Sequence, residues 1–134
     1  MKNITANAVF VKNGKVLLEK RKKTEDNYAG LLAFPGGHKE KSEKIEETLL
    51  REMKEELNIR IITYKLIGTV KDIDPTSKEP YEHHAFLCTK WIGEIKETTE
   101  EEGLRWVELS KVNKLEHVSK TTLRIAAKLK NGTL

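Results

Sequence analysis

A chain of 134 residues has the size of one domain and can bury a core of its own. With 37% hydrophobic and 34% charged residues it has the composition of a soluble globular protein, which excludes a disordered chain. The net charge of +4 mildly favours an anionic partner, but it is scattered among Lys–Glu neighbours and forms no basic stripe, so nucleic acid is an unlikely partner on composition. No apolar run approaches the roughly 20 residues that span a bilayer. The opening "MKNITANAVF" has no leader-like apolar core with a cleavage site, and the single Cys88 has no internal partner for a disulfide. A single domain over residues 1–134, with no membrane partner and a cytoplasmic location, is the expectation.

In chain order, "ITANAVFVKNGKVLLEKR" reads as two β-strands around Asn13-Gly14, a dipeptide suited to a tight hairpin turn. A polar loop, "KKTEDNYAG", leads to the short apolar run "LLAF" and then to "PGG", where regular patterning stops. Helical spacing runs from Ser42 to Leu57. Ser42 is the expected N-cap, and Glu43, Glu46 and Glu47 fall in the first turns, where the helix dipole favours anions. "IRIITYKLIGTV" and "YEHHAFLCTKWIGEI" are β-branched and aromatic runs separated by the turn-rich "DIDPTSKEP". Beyond the acidic loop "KETTEEEG", the segment "LRWVEL" reads as a short strand. The stretch "HVSKTTLRIAAKLKNG" is a second amphipathic helix, with Val118, Thr122, Ile125 and Leu129 on one face and Gly132 at its C-cap. Strands interrupted by two helices imply an α+β fold: a mixed sheet covered by helices on both faces, an α/β/α sandwich.

The stretch "REMKEELNIR" raises a question of charge. Glu52, Glu55 and Glu56 lie three and four residues apart on one helix, where each like-charged pair costs roughly 0.2–0.5 kcal/mol. At 100° per residue, Ile45, Leu49, Leu50, Met53 and Leu57 make one apolar arc, and the glutamates gather on the adjoining arc with Glu56 at the edge of the buried face. Carboxylates in that position are costly to desolvate without a cation, and Arg51 offsets only part of the charge. Hard divalent ions bind such oxygens, and Mg²⁺ in particular takes one or two carboxylates together with waters and substrate phosphates. A solvated acidic face is the competing explanation. Just upstream, "FPGG" combines a rigid Pro35 with two residues lacking Cβ, so the backbone at Gly36 and Gly37 can approach a ligand closely. Arg21 and Lys20 end the second strand, where they can meet phosphates, and His38 and Lys39 follow the glycines within similar reach. Tyr28, Phe34, Tyr81 and Trp91 can stack on a base or fill the core. His83 and His84, adjacent on a strand, point to opposite faces and do not share a ligand.

Taken together these residues resemble the Nudix box. Gly37, five residues, Glu43, seven residues and then Arg51-Glu52-Met53-Lys54-Glu55-Glu56-Leu57-Asn58-Ile59 match G-x5-E-x7-R-E-U-x-E-E-x-G-U, with U apolar, at eight of nine specified positions. The departure is Asn58 in place of Gly, at a position that wants a left-handed backbone, which Asn tolerates best after Gly. The flanking "GLLAFPGG" and "LRWVEL" are similar to the family as well, so the resemblance covers most of the chain.

What the resemblance implies is hydrolysis of a pyrophosphate linkage in a nucleoside diphosphate derivative, with Mg²⁺ or Mn²⁺ as cofactor. The ion would be held by Glu52, Glu55, Glu56 and the Gly37 carbonyl, with Glu43 and Arg51 supporting Glu52. The general base would be Glu52 or a carboxylate of the later loop, Glu100, Glu101 or Glu102. Substrate contacts would come from Arg21, Phe34, Gly36, His38 and Lys39. The resemblance leaves the nucleotide open. Pro75, sixteen residues beyond Ile59, resembles a proline of ADP-ribose-cleaving members, whereas "FPGGH" in a short chain resembles hydrolases of oxidised nucleoside triphosphates. Thr121 and Thr122 stand about where the latter class places a base-reading Asn, which weakens that match. A nucleotide-sensing module is the rival reading, although such a protein is expected to lose metal-binding glutamates. RNA 5′-end hydrolysis is the other rival. Family members often pair, so a homodimer is a further expectation.

Overall fold

In the computed structural model, which describes residues 3–98 and 103–131, Asn13 and Gly14 take φ values of 51° and 75°. Two successive left-handed residues make the tight turn that matches strand twist, and they fold β1 (Asn3–Lys12) back on β2 (Lys15–Lys20). The hairpin pairs only at Val11–Val16 and Lys12–Lys15. Beyond that the two strands part and take different neighbours. On one side β1 runs parallel to β6 (Pro80–Ile92), from Asn3–Tyr81 to Phe10–Cys88. On the other it pairs at Thr5, Ala6 and Asn7 with β4 (Gly36–His38). β2 pairs instead with β7 (Gly103–Glu108) and, at Glu19 and Lys20, with β3 (Leu32–Ala33). β5 (Arg60–Ile73) lies antiparallel to β6 and forms an edge. The sheet order is therefore β3-β2-β1-β6-β5, with β4 on β1 and β7 on β2.

Helices cover both faces of this mixed sheet. On one, Leu49 and Met53 of α1 (Ile45–Leu57) pack with Ala6, Ala8, Phe10, Leu17 and Phe86. On the other, Ile125 and Ala126 of α2 (Lys120–Lys130) pack with Val9, Val16, Leu18, Phe34 and Val112, the last from a 3₁₀ turn at Leu109–Lys114. Period-two alternation explains the split along β1, where Ala6, Ala8 and Phe10 face α1 and Val9 faces α2. Each fully buried aliphatic side chain in these layers contributes roughly 1.5–3 kcal/mol. Among the described residues no helix is long and apolar enough to cross a membrane.

Several local expectations need correction. The N-cap of α1 is Lys44, not Ser42; Ser42 and Glu43 precede the helix, and Glu47 reaches back to accept the Lys44 N–H at 2.8 Å. Glu43 is consequently free to turn its carboxylate toward the helix side rather than to cap its dipole. Leu50 is 36% exposed while Thr48 is fully buried, so the buried face is turned from the arc that helical spacing suggested. Asn58 does take the left-handed conformation, φ 53° and ψ 42°, and its N–H bonds back to the Lys54 carbonyl at 3.1 Å. Ser119 caps α2, accepting from Thr122 N–H at 3.1 Å. Gly132 lies outside the described residues.

Candidate active site

Arg51 gathers the acidic groups around α1. Its Nε and Nη2 donate to the two oxygens of Glu43 at 2.6 and 3.0 Å, a bidentate pair, and Nη2 also reaches the His38 carbonyl at 3.0 Å. Nη1 donates to Glu52 Oε1 at 2.9 Å and Glu55 Oε2 at 3.3 Å. Glu43 further accepts from Thr48 Oγ1 at 3.0 Å and the Glu40 N–H at 2.9 Å. Such charge-assisted bonds hold the Glu43 carboxyl down at about 2 and push the Arg51 guanidinium upward in turn. Gly37 makes room for the next group. A Cβ there would lie 2.1 Å from Glu52 Cδ, so the Glu52 carboxylate rests against bare backbone. At Gly36 a Cβ would meet the Ala6 carbonyl at 2.2 Å, which is the close strand approach that β4 needs.

Glu56 meets a partner from another element. Glu19, on β2 two residues after Leu17, shares the face of that strand that looks toward α1. Loss of hydration raises the carboxyls of Glu19 and Glu52. Glu56 keeps much of its outer surface in solvent, yet it too is raised, first by loss of hydration at the carboxyl and then by the charge of Glu19. Arg51 is already engaged, so these oxygens crowd together with their charge incompletely offset. An all-oxygen anionic set suits a hard divalent ion and not a soft one. Among the described residues no three carboxylate, imidazole or thiol groups converge at ligating range. Carboxylate donors of this kind suit a hard ion whose shell also takes water and substrate oxygens.

The parting of β1 and β2 leaves a cleft beside this cluster. Its walls include Thr5 and Asn7 of β1, Glu19 of β2 and Arg21 just after it, Phe34, Gly36–His38, and Thr121 and Thr122 of α2. Arg21 is steadied by the loop below it, with Nε on the Asn27 carbonyl at 3.0 Å and Nη2 on the Asn27 side-chain oxygen. The Asn27 amide donates to Tyr81 Oη at 2.8 Å, and Tyr81 in turn meets His38 Nε2 at 3.1 Å. Although much of His38 stays exposed, loss of hydration at the ring, and then the nearby Arg21, lower its imidazole.

At the cleft floor the half-buried Asp72 accepts from Tyr28 Oη at 2.5 Å, Thr121 Oγ1 at 2.7 Å and His83 Nε2 at 3.0 Å. Burial alone would raise the Asp72 carboxyl, but the bonds from Tyr28 and Thr121 outweigh it and the net direction is down. His83 is lowered by burial despite the Asp72 charge, and the Tyr28 phenol is pushed far upward by burial and by Asp72. Asp74 ties the same floor to the β5–β6 turn, accepting from the Tyr28 N–H at 2.9 Å and from Ser77 Oγ at 2.6 Å.

The structure brings Arg51, Glu52, Glu55 and Gly37 together, sets Glu56 against Glu19, and places Gly37, Arg21, Phe34, Gly36 and His38 in the cleft walls. Lys39 is turned away, its Nζ on the Glu40 carbonyl at 3.4 Å, because its N–H is drawn to the Ile4 carbonyl alongside β1. Trp91 is not in the cleft. It packs edge-on to Phe10 at 5.1 Å and stacks on Trp106 at 6.2 Å. Glu100, Glu101 and Glu102 lie outside the described residues. Sequence reasoning missed Glu19, Thr5, Asn7, Asn27 and Asp72, and gave His83 no role. For Glu19 a signal was available, since a strand covered on both faces must aim residue 19 where it aims Leu17. For the others the partners are too distant along the chain to leave one.

Comparisons with known proteins bear on this geometry. A family profile described as NUDIX domain matches residues 1–127. An ADP-ribose pyrophosphatase of Methanocaldococcus jannaschii is 26% identical over 129 residues, covering 96% of this chain and 75% of that protein. An 8-oxo-dGTP diphosphatase of Proteus vulgaris is 32% identical over 95 residues, covering 71% of this chain and 82% of that protein. The crystal structure of a MutT NUDIX hydrolase from Burkholderia pseudomallei superposes with a TM-score of 0.79 at 28% identity, covering 96% of this chain and 97% of that one.

Proposed function

The chain belongs to the NUDIX family as a pyrophosphohydrolase, and from that premise we propose that it cleaves the pyrophosphate linkage of a nucleoside diphosphate derivative with the help of Mg²⁺ or Mn²⁺. The observation that carries this reading is the seating of Glu52 against Gly37 beside Glu19 and Glu56, at the mouth of a cleft lined by Arg21 and Phe34. Glu52, Glu55, Glu56 and the Gly37 carbonyl would hold the ion, with Glu19 close by. When bound, the ion supplies concentrated positive charge that offsets the pyrophosphate oxygens and makes a nearby water more acidic.

The chain's own residues do the rest. Arg51 fixes the rotamer of Glu52 and is itself fixed by Glu43. Arg21, oriented through Nε and Nη2 on Asn27, is placed to meet a phosphate oxygen. Phe34 and the cleft behind it receive the nucleoside. Water attacks one phosphorus, the bridging P–O bond breaks, and the second phosphate departs with the electron pair. The water's proton passes to one carboxylate, Glu52 or one of Glu100, Glu101 and Glu102, and Glu→Gln at each position identifies it by loss of the acidic limb of the pH–rate profile.

On the base side, α2 presents two threonine hydroxyls in place of an amide, each partly used inside the fold. Thr121 donates to Asp72 at 2.7 Å, and Thr122 accepts from the Phe34 N–H at 3.3 Å. That disfavours a guanine-edge reader on α2 and favours an ADP-ribose-like substrate over 8-oxo-dGTP. The test is a panel of ADP-ribose, diadenosine tetraphosphate, and normal and oxidised dNTPs with Mg²⁺ or Mn²⁺, read by phosphate release and product mass. Fastest turnover of ADP-ribose is expected, and faster turnover of 8-oxo-dGTP would overturn the preference.

A further inference from the structure

With His83 neutral, the direction in which its burial moves it, the polar chain beneath the cleft has one consistent arrangement of protons. Tyr28 Oη lies 2.5 Å from Asp72 Oδ1, and two oxygens that close must share a hydrogen, which the phenol supplies to the carboxylate. His83 Nε2 sits 2.7 Å from that phenol oxygen and 3.0 Å from Asp72 Oδ1, both now acceptors only, so Nε2 carries the proton. A neutral imidazole with Nε2–H has a bare Nδ1, and its neighbour at 2.7 Å is Thr5 Oγ1, whose hydroxyl must therefore donate. Having spent its one hydrogen, Thr5 Oγ1 can only accept at 2.9 Å from the Asn7 side chain, so the group facing it is the amide NH₂. The Asn7 oxygen is left pointing the other way. It lies over Gly36, 3.0 Å from where a Cβ would stand, beside the cleft that Asn7 lines.

We propose that Asn7 is a specificity residue whose side-chain oxygen, locked by the Thr5–His83–Asp72 relay as a hydrogen-bond acceptor, selects nucleosides that present a donor at β1: the exocyclic amino group of the base. This rests on the reading that the cleft takes the nucleoside. A ribose hydroxyl is the other donor of the same chemistry. Asparagine turned the opposite way would offer NH₂ and select an acceptor, so the relay, not the residue type, decides the preference. Asn7 and Thr5 belong to β1, Tyr28 to the loop after β2, Asp72 to β5 and His83 to β6, with Thr121 of α2 on the other Asp72 oxygen, so the acceptor is fixed by the packed fold and not by local chain geometry.

Nucleoside monophosphates have no pyrophosphate linkage, and their binding therefore tests the cleft independently of turnover. Calorimetric titration would compare AMP with purine riboside 5′-monophosphate and 2′-deoxy-AMP, and GMP with IMP. In the wild type, loss of the amino group in at least one pair weakens binding about tenfold or more, since a buried acceptor loses its partner. Asn7→Leu and Thr5→Val bring that ratio near one, and Thr5→Ser restores it. Equal affinities in both wild-type pairs, or an unchanged ratio in both Asn7→Leu and Thr5→Val, would overturn the assignment. Loss confined to 2′-deoxy-AMP would overturn the base in favour of the ribose, and absence of all binding would remove the nucleoside from the cleft. Discrimination by wild type without hydrolysis of any pyrophosphate compound would instead sink the proposed activity and leave Asn7 in place.

Discussion

Gly37 and Glu52 form the tightest fit at the site, since a Cβ on residue 37 would fall 2.1 Å from the Glu52 carboxyl carbon. Gly37→Ala must push that carboxylate aside, and a displacement near 1 Å costs on the order of 100-fold in rate. The expected outcome is a drop of that size in kcat with the unfolding midpoint nearly unchanged; retained turnover would show that Glu52 has no fixed task. Arg51 leads to a pH prediction. The Glu43 carboxyl is lowered from 4.5 to about 2 by its bonds to Arg51 and Glu40, so the stabilisation is full above about 4.5 and is lost as pH falls toward about 2. Urea midpoints taken between those limits should fall with pH in the wild type and fall less in Arg51→Met. Much of this edge of the site was legible from linear spacing, because Glu43, Arg51, Glu52, Glu55 and Glu56 are turns of one helix and the loop before it. For Glu19 only the face was legible, from its alternation with Leu17; its meeting with Glu56 depends on how β2 and α1 pack.

Element boundaries follow from end chemistry more than from periodicity. At the end of α1, Asn58 holds φ at 53° and accepts from Lys54 Nζ at 2.9 Å. Asn58→Gly relieves the left-handed strain, loses that bond, and frees the unfolded chain, so the net change should stay within ~1 kcal/mol by chemical denaturation. A larger loss would mean that the Lys54 contact holds the helix end. Within the helix, Leu49 is fully buried among Phe10, Met53 and Phe86. Leu49→Ala should therefore cost roughly 2–5 kcal/mol, measured as a shift in denaturation midpoint at constant slope. The start of α1 was misread because Ser42 has the better capping side chain, whereas Glu47 reaching back to Lys44 supplies the same service from inside the helix. Strand positions were easier to read, since Asn13-Gly14 and the β-branched runs fix both turn and strand identity.

At the scale of the whole molecule, the hairpin that pairs at only two positions is what makes a site possible. By parting, β1 and β2 give the glutamates of α1 a cleft to face, and β4 lines its edge. The layered α+β arrangement was readable in the alternation of strands and helices. The cleft floor was not, because Tyr28, Asp72 and His83 meet across separations of 44 and 55 residues and owe nothing to local pattern.

The most direct test of the central claim is Mn²⁺ binding, followed by electron paramagnetic resonance and paired with turnover, in the wild type, Glu52→Gln and Glu56→Gln. The account predicts that the folded wild type binds the ion and hydrolyses a nucleoside diphosphate derivative, and that both variants fold but lose ion binding and turnover together. Undiminished Mn²⁺ binding and turnover in both variants would contradict it.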